Sequence, residues 1–509
     1  MTAPAVHLER EVKLAVWPGF ELPALDGLIE GLTAMPASEH HLEAAYFDTP
    51  DLRMVRSGVT LRHRSGEGWT LKLPEAQGDT DTLSRRELTV STDDAAVPPE
   101  LARLVTAWVR GAELVPVARL HTWRRRIVLT DAEGAMVAEI VDDDVSVVEG
   151  QEVVLRFREV EVEAGERTPE ALLDALVAQL RAAGAGPADS IPKVKRALGP
   201  SANEPPELSG ERDDDRSAAW LIESGLRASV RRLLRHDVGA RMGDVEGVHQ
   251  ARVATRRLRS DLRTFAPVLD QAWATHLRAE LKWLAAALGE VRDADVLLER
   301  LRHASGRLDA ADAAGASTLL ERLQAERSTA RGRLLAVLDE RRYALLLDQL
   351  VDSVERTGAD TRPAEWLVAD AYAPAGEVVP PLVERPWKRL RKAARAAGPD
   401  SSDDDLHEVR IRAKRCRYAI EVALPLGGKP ASKLAKAVAR LQEVLGDHHD
   451  AVVAEAWLRS AVPNLDAASS MVAGQLIAGE RAAADAYRGA WPDAWRRADK
   501  RKLRAWLTT

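Results

Sequence analysis

The stretch EREVKLAV, residues 9–16, indicates the fold of the amino-terminal part of the chain. Glu9, Glu11 and Lys13 stand at every second position of it, so in a β-strand their side chains would share one face. Two carboxylates about 5 Å apart repel each other by roughly 3 kcal/mol at an effective dielectric constant near 20. A strand that keeps both acids on one face therefore needs something in its surroundings to offset this repulsion.

Alternating runs of this kind recur up to about residue 165 and are separated by Gly, Pro and Asp, which is typical of antiparallel strands joined by turns. The runs are HLEREVKLAV, GVTLRHR, GWTLKLP, SRRELTVS, HTWRRRIVL, AMVAEIVDDDVSVV and VVLRFREVEVEA. Residues 22–34 and 169–184 are instead predicted to be helical. The sequence thus predicts a β-rich amino-terminal domain.

Six of these strands carry charges at alternate positions, and both signs occur. The side chains that share a face are Arg62 with Arg64, Thr70 with Lys72, Arg85 with Glu87, Thr122 with Arg124 and Arg126, and Glu159 with Glu161 and Glu163. A half-exposed antiparallel sheet also has one polar face, whereas a closed barrel can enclose such faces as a charged lumen. In a barrel, the basic residues would bind an oligo-anion and the carboxylates would hold hard divalent cations such as Mg²⁺.

The order of these motifs resembles that of the CYTH superfamily, the triphosphate tunnel metalloenzymes. The resemblance covers about residues 5–198 and rests on the Glu-x-Glu-x-Lys opening followed by YFDTP, LRHR, LKLP, RRE, AEIVDD, EVEVE and PKVKRAL. Pro192 and Val194 depart from the family's closing Ser-Lys-aromatic pattern. The resemblance implies an eight-stranded antiparallel β tunnel that cleaves the terminal phosphoanhydride of a triphosphate with Mg²⁺ or Mn²⁺.

The resemblance also implies roles for individual residues. The residues expected to act in catalysis and phosphate binding are Glu9, Glu11, Lys13, Arg62, Arg64, Lys72, Arg85, Glu87, Arg124, Arg126 and Lys193. The residues expected to hold metal are Glu9, Glu11, Glu139, Asp142, Asp143, Glu159, Glu161 and Glu163.

The chain changes character after LGPSANEPPELSGERDDDRS, which is rich in Pro, Ser and acidic residues and is interpreted as a linker. Long Ala-, Leu-, Arg- and Glu-rich helices are predicted beyond it. Within VHQARVATRRLRSDLRTF, a helix would place His249, Arg252, Arg256, Arg259 and Arg263 within an arc of roughly 80°. Because like charges repel, such a basic stripe indicates an anion beside it.

The stripe recurs in LHEVRIRAKRCRYAIE, where His407, Arg410, Lys414 and Arg417 each follow their counterparts by 158 positions. LGEVRDADVL, from residue 288, likewise matches LGDHHDAVVA, from residue 445, and the acids in both are expected to pair with the stripes. Arg231 and Arg235 have counterparts in Lys388 and Lys392. This internal duplication predicts two pseudo-symmetric helix bundles.

The basic charge is concentrated around these two stripes. Residues 227–263 contain ten Lys or Arg and four Asp or Glu, and residues 388–417 contain ten and five, in a chain of net charge −7. A concentrated basic patch focuses its field on an anionic partner.

The duplicated His-x-x-Arg helix resembles that of the CHAD domain, the conserved histidine α-helical domain, over about residues 212–505. The resemblance implies two four-helix bundles that bind inorganic polyphosphate. The residues it assigns to polyphosphate are Arg231, Arg235, His249, Arg252, Arg256, Arg257, Arg259, Arg263, Lys388, Lys392, His407, Arg410, Lys414, Arg415 and Arg417.

The expected organisation is an α+β multidomain chain. A CYTH-like tunnel domain spans residues 1–200, a linker spans 201–216, and a CHAD-like all-α domain spans 217–509. The two helical repeats are expected at about 217–360 and 375–505.

The expected function is metal-dependent hydrolysis of tripolyphosphate or a related triphosphate in the tunnel, with polyphosphate bound by the helical domain. Two alternatives are a non-catalytic polyphosphate-targeting protein and a CYTH enzyme acting on nucleoside triphosphates, as an adenylate cyclase or a nucleoside triphosphatase. Nucleic-acid binding is disfavoured, because neither stripe is interleaved with aromatic residues on which bases could stack.

The remaining sequence features concern the compartment. Cys416 is the only cysteine of the 509 residues, which is compatible with a reducing environment. The first residues show no apolar signal-peptide region, and no apolar run is long enough to span a membrane. The family resemblance implies a cytoplasmic protein that associates with polyphosphate granules.

Overall fold

The computed structural model describes residues 5–27, 29–74, 82–165, 168–209, 215–355, 364–398 and 401–507. The chain divides into two compact units, Met1–Ser209 and Gly210–Thr509. Within the described ranges, no helix is long and apolar enough to cross a membrane.

Among the described residues of the first unit, nine β-strands are present. They are β1 Ala5–Val16, β2 Thr33–Ala34, β3 Ser38–Asp48, β4 Thr60–Arg64, β5 Gly68–Pro74, β6 Leu83–Val90, β7 Val115–Thr130, β8 Met136–Glu149 and β9 Glu152–Ala164. All neighbours pair antiparallel in the order β7-β3-β4-β5-β6-β1-β9-β8, and β8 pairs with β7. The eight long strands therefore close into a barrel, with β2 added beside β7. This confirms the predicted barrel.

Alternate side chains of β1 point to opposite faces of the barrel wall. Val12 and Leu14 pack outside the barrel with Ile140 of β8 and Val160 of β9. Leu176 belongs to a helix that covers this outer core. The alternate residues of β1, which carry the charges, line the lumen.

The described part of the first unit also has five α-helices: α1 Arg53–Arg56, α2 Pro99–Leu104, α3 Thr106–Val109, α4 Glu170–Ala182 and α5 Lys193–Leu198. The helix predicted over 169–184 is confirmed as α4. The helix predicted over 22–34 is wrong, since the described residues there form turns and the short strand β2. Gly27 and Gly31 adopt φ values of 69° and 86° in this segment, a left-handed conformation that ends right-handed helix.

The second unit is helical. Its helices are α6 Ala218–Met242, α7 Val245–Thr264, α8 Gln271–Ser305, α9 Ala313–Leu338, α10 Arg341–Val354, α11 Ala375–Ala396, α12 Asp403–Val422, α13 Leu424–Ala461 and α14 Ala467–Ala498. Helices α6–α9 correspond in order to α11–α14, and consecutive helices within each set pack together. Residues of α8, α9, α13 and α14 share one apolar core. The predicted fold class, a barrel followed by duplicated helical bundles, is confirmed.

Side-chain caps fix where the two basic helices begin. The Asp244 carboxylate accepts the backbone N–H groups of Glu246 and Gly247 at the start of α7. Ser402 and Asp405 exchange reciprocal hydrogen bonds at the start of α12. Each cap satisfies N–H groups that have no partner within the helix.

Candidate functional site

The barrel encloses a charged cavity of about 350 Å³. Most of the residues predicted to act on triphosphate line it. They are Glu9, Lys13, Arg62, Arg64, Lys72, Arg85, Glu87, Arg124, Glu161, Glu163 and Lys193. The register explains this convergence, because alternate residues of each strand point inward around a closed sheet.

Three carboxylates on β1 and β9 form an acidic cluster. Glu11 lies opposite Glu163 in the register of the two strands, and oxygens of Glu9, Glu11 and Glu163 all lie within 4.8 Å of one another. Burial, together with the neighbouring Glu161 and Glu9 carboxylates, raises the pKa of Glu163 to about 7. The carboxylates of Glu9 and Glu11 on β1 therefore lie close enough to repel each other, as predicted.

The acidic cluster fits a hard divalent cation. The Glu11 Oε1 atom is buried and accepts no hydrogen bond from any described residue, although the Lys13 ammonium lies 3.3 Å away. A set of carboxylate oxygens with unused acceptor capacity is what Mg²⁺ or Mn²⁺ requires. A cation held by Glu9, Glu11 and Glu163 would replace the repulsion between these carboxylates by coordination.

The other predicted metal-binding acids on the lumen side already face protein cations. The Lys193 ammonium lies 2.7 Å from Glu159, 2.8 Å from Glu161 and 3.0 Å from Asp143, and Lys13 also pairs with Glu161. Burial opposes the shift, but Lys13 and Lys193 hold the pKa of Glu161 well below its usual range. These three acids form a network that orients the two lysines.

Arg124 joins this network through two parallel hydrogen bonds. Its Nε and Nη2 atoms donate to the two carboxylate oxygens of Asp143 at 2.9 and 2.7 Å. Burial opposes the shift, but the Asp143 carboxylate raises the pKa of Arg124 above its usual value. The fork geometry holds the guanidinium in one orientation at the edge of the cavity.

A second group of cations lies toward β4, β5 and β6. The Lys72 ammonium lies 2.6 Å from Glu9 and 3.6 Å from Glu87, and the Arg62 guanidinium lies 3.7 Å from Glu87. Arg64 donates to Glu67 at 2.6 Å. These contacts hold the cations around one cavity beside the acidic cluster.

Arg126, Glu139 and Asp142 are not among the residues that line the cavity. Arg126 and Glu139 pair with each other beside the acidic cluster, since Glu139 lies opposite Glu163 in the register of β8 and β9, and the Arg126 side chain is 42% exposed. Asp142 lies on the opposite face of β8 from Asp143 and accepts two hydrogen bonds from Arg158, at 2.8 and 2.7 Å. Adjacent strand residues point to opposite faces, so only one member of this acidic pair can face the lumen.

Sequence reasoning missed lumen residues that carry no charge at neutral pH. Tyr46 of β3 and Thr60 of β4 line the cavity. Although burial opposes the shift, Arg62 and Lys193 lower the pKa of the Tyr46 phenol. The YFDTP motif contained the signal, but its Asp48 has a structural role, because it accepts the backbone N–H groups of Thr49, Met54 and Val55.

The helical unit contains a second cavity, of about 490 Å³, which we call the central cavity. It is lined by the first half of each basic stripe, and the residues from the prediction are His249, Arg252, Arg256, His407, Arg410 and Lys414. The duplication thus brings both stripes to one space. Arg292 and Arg300 of α8 also line it; the sequence prediction did not assign them to polyphosphate.

Equivalent acids hold the stripes in place. The Arg252 guanidinium lies 3.1 Å from Asp293, and the Arg410 guanidinium lies 3.6 Å from Asp450, 157 positions further on. The salt bridges expected for the two acidic segments are therefore present.

The central cavity destabilises positive charge in the absence of an anion. Burial and the nearby Arg410 and Arg256 guanidinium groups lower the pKa of Lys414 to about 7. His407 and His449 approach to 3.0 Å between their Nδ1 atoms, and burial together with Arg410 lowers the pKa of His449 to about 4. A polyanion in the cavity would reverse these shifts.

The remaining predicted polyphosphate residues lie outside the central cavity. Arg257 and Arg417 both pair with Glu421, at 2.6 and 2.7 Å. Lys388 pairs with Glu384 at 2.7 Å and its side chain is 67% exposed. Arg235 and Lys392 are exposed and Arg231 is half-buried. Arg259, Arg263 and Arg415 belong to a separate arginine cluster.

Comparison with known proteins identifies a domain family in each of the two units. Residues 7–194 match the CYTH domain family, and residues 224–459 match the CHAD domain family. Two proteins of Mycobacterium tuberculosis, "Uncharacterized protein MT2285" of strain CDC 1551 / Oshkosh and "Uncharacterized protein Rv2226" of strain ATCC 25618 / H37Rv, are similar over nearly the whole chain. Each is 34% identical over an alignment of 486 positions that covers 89% of this chain and 89% of the relative.

Two solved structures are also similar to parts of the chain. PptA from Streptomyces chartreusis has 25% identity and a TM-score of 0.45, covering 55% of this chain and 99% of that one. The CHAD domain from the plant Ricinus communis has 27% identity and a TM-score of 0.41, covering 59% of this chain and 95% of that one.

Proposed function

Because this chain belongs to the CYTH and CHAD domain families, we propose that its barrel is a metal-dependent tripolyphosphatase and that its helical unit binds inorganic polyphosphate. The observation that carries the first half is the acidic cluster of Glu9, Glu11 and Glu163 beside a cavity lined with Lys and Arg. The convergence of two basic stripes on the central cavity carries the second half.

In the tunnel, the cations bind and orient the substrate. Arg62, Arg64 and Arg85 offer guanidinium groups that can each bind two phosphate oxygens, which fixes geometry as well as charge. Lys72 contacts Glu9 and can exchange this contact for a phosphate oxygen. These residues hold the triphosphate in one line, so that its terminal group stays in a fixed place.

Glu9, Glu11 and Glu163 would hold Mg²⁺ or Mn²⁺ next to the phosphates. The ion would supply charge neutralisation on the phosphate oxygens and activate a water for attack at the terminal phosphorus. Lys13 and Lys193 stay protonated through the pH range of the reaction, because the acids around them raise the pKa of both above the usual value against the effect of burial. They therefore stabilise the negative charge that develops on the phosphates.

The tunnel proposal is tested by phosphate release from tripolyphosphate, ATP and long polyphosphate, each with Mg²⁺, Mn²⁺ or EDTA. We expect turnover of tripolyphosphate that EDTA abolishes. Preferential turnover of ATP would favour the nucleotide alternative. No turnover of any substrate, with polyphosphate still bound, would show that the protein is a receptor.

The binding proposal concerns the central cavity. Arg252 and Arg410 come from different repeats and each is held by its own aspartate, so both guanidinium groups are positioned before ligand arrives. Fixed charges lose little conformational entropy on binding. Fluorescence anisotropy with labelled polyphosphate should show at least about tenfold weaker binding for Arg252→Ala/Arg410→Ala, since two charge-assisted contacts are lost. Unchanged binding would refute the assignment.

A further inference from the structure

A separate cavity of about 220 Å³ lies between α7, α11 and α12 of the helical unit. Five arginines line it, and none of the described residues that line it is acidic. They are Arg263, Arg385, Arg389, Arg412 and Arg415. We call this space the arginine pocket. Its volume equals that of about seven waters at ~30 Å³ each, which suits a compact ligand rather than a long chain.

The arginines of the pocket repel one another. Burial and the neighbouring Arg415 and Arg278 guanidinium groups lower the pKa of Arg263 to about 10. Glu408 contacts the cluster from its edge, where it pairs with Arg412. The acidic charge on this side is therefore much smaller than the basic charge, and a bound anion would relieve the repulsion.

A buried hydroxyl group also indicates that the pocket binds a ligand, and this observation does not depend on charge. Ser260 lines the pocket and its residue is 9% exposed, yet its Oγ has no hydrogen-bond partner among the residues that the structure describes. Leaving a buried polar atom unsatisfied is costly. A ligand oxygen in the pocket would satisfy it.

The pocket draws on helices of both repeats, and its pseudo-symmetric location has fewer arginines. By the offsets of the duplication, Arg385 and Arg412 correspond to Ala228 and Ala254, and Arg263 corresponds to Glu421. Glu421 pairs with Arg257 at 2.6 Å in the counterpart position. At the pseudo-symmetric location, Glu421 therefore offsets the positive charge of Arg257. The residues that line the arginine pocket include no such acid.

We propose that the arginine pocket is a second anion site, distinct from the central cavity, that binds a terminal phosphate group such as that of free pyrophosphate. Arg263 and Arg415 bind its oxygens, and Ser260 donates a hydrogen bond to it. The same chemistry is offered by a free short phosphate and by the end of a polyphosphate chain.

The test is calorimetric titration of the full chain with pyrophosphate in EDTA at fixed ionic strength. We expect Arg263→Gln/Arg415→Gln to lose one pyrophosphate site, because the tunnel and the central cavity stay intact. The matched control is Arg333→Gln/Arg481→Gln, which removes the same charge from two side chains that are each more than half exposed. We expect the control to keep every site.

Two further measurements complete the test. Ser260→Ala leaves the charge unchanged and should weaken the same site by about fivefold, since one hydrogen bond is lost. Titration with long polyphosphate distinguishes the sources. Unchanged affinity in the Arg263/Arg415 variant identifies a site for free short phosphates, and weakened affinity identifies a site for chain ends. An unchanged number of pyrophosphate sites in a folded variant, as judged by circular dichroism, would overturn the proposal, whatever the outcome for the central cavity.

Discussion

If the helical unit binds polyphosphate as proposed, Lys414 makes that binding depend on pH. It lines the central cavity, and burial with the Arg410 and Arg256 guanidinium groups lowers its pKa to about 7. A phosphate chain beside the ammonium would raise this pKa back toward the ordinary 10.5. Binding therefore takes up a proton above pH 7. The contribution of Lys414 is full below that pH and is lost as the pH rises.

The size of the effect follows from the fraction of Lys414 that is charged before binding. With a pKa of about 7, that fraction is roughly 24% at pH 7.5 and roughly 1% at pH 9. Apparent affinity falls with the competent fraction, so it should fall by up to about 25-fold over this range, or about 1.9 kcal/mol. The histidines of the cavity contribute little here, because His249, His407 and His449 all have a pKa below the usual 6.5.

The first repeat has an arginine at the position that corresponds to Lys414, which suggests the variant to test. Arg256 is the counterpart of Lys414, and an arginine stays charged throughout this range. We expect Lys414→Arg to bind polyphosphate with nearly constant affinity from pH 7.5 to 9. Fluorescence anisotropy of the full chain in EDTA at constant ionic strength measures both proteins. A variant with the same pH slope as the wild type would show that Lys414 is not the group that causes the pH dependence.

Three further predictions concern the metal, the salt dependence and the fold. Because burial and the neighbouring acids raise the pKa of Glu163 to about 7, Mn²⁺ affinity measured by electron paramagnetic resonance should fall by up to about tenfold per pH unit below 7 and should lose this dependence in Glu163→Gln. The logarithm of polyphosphate affinity should fall steeply with the logarithm of salt concentration, and Arg252→Ala/Arg410→Ala should make the slope shallower by about two. Leu14→Ala should lower the free energy of unfolding by about 2–5 kcal/mol in urea titrations, because Leu14 is fully buried in the outer core.

Strand periodicity was enough to predict most of the tunnel. A strand has only two faces, so Glu9, Glu11 and Lys13 had to lie together once β1 was recognised. The same rule could not choose between Asp142 and Asp143, because a run of acids does not show which member faces inward. Strand β3 was not among the predicted strands, since SEHHLEAAYFD has only a weak alternation and most of its first half is exposed.

Helical periodicity predicted the basic stripes, but it did not predict that the residues of one stripe line two different cavities. His249 to Arg263 span most of α7, about 21 Å at 1.5 Å per residue, so its two ends meet different neighbours. Arg252 and Arg256 face the central cavity, whereas Arg263 faces the arginine pocket. That outcome depends on how α7 packs against α11 and α12, which the sequence pattern of one helix does not contain.

We propose that the acidic cluster of Glu9, Glu11 and Glu163 makes the tunnel an enzyme. The most direct measurement is the initial rate of phosphate release from tripolyphosphate at saturating Mg²⁺, for the wild type, for Glu9→Gln/Glu11→Gln and for the matched control Glu149→Gln/Glu152→Gln, whose acids are exposed. We expect the tunnel variant to lose at least about 100-fold in rate and the control to stay within about twofold. A tunnel variant that keeps the wild-type rate would contradict the claim.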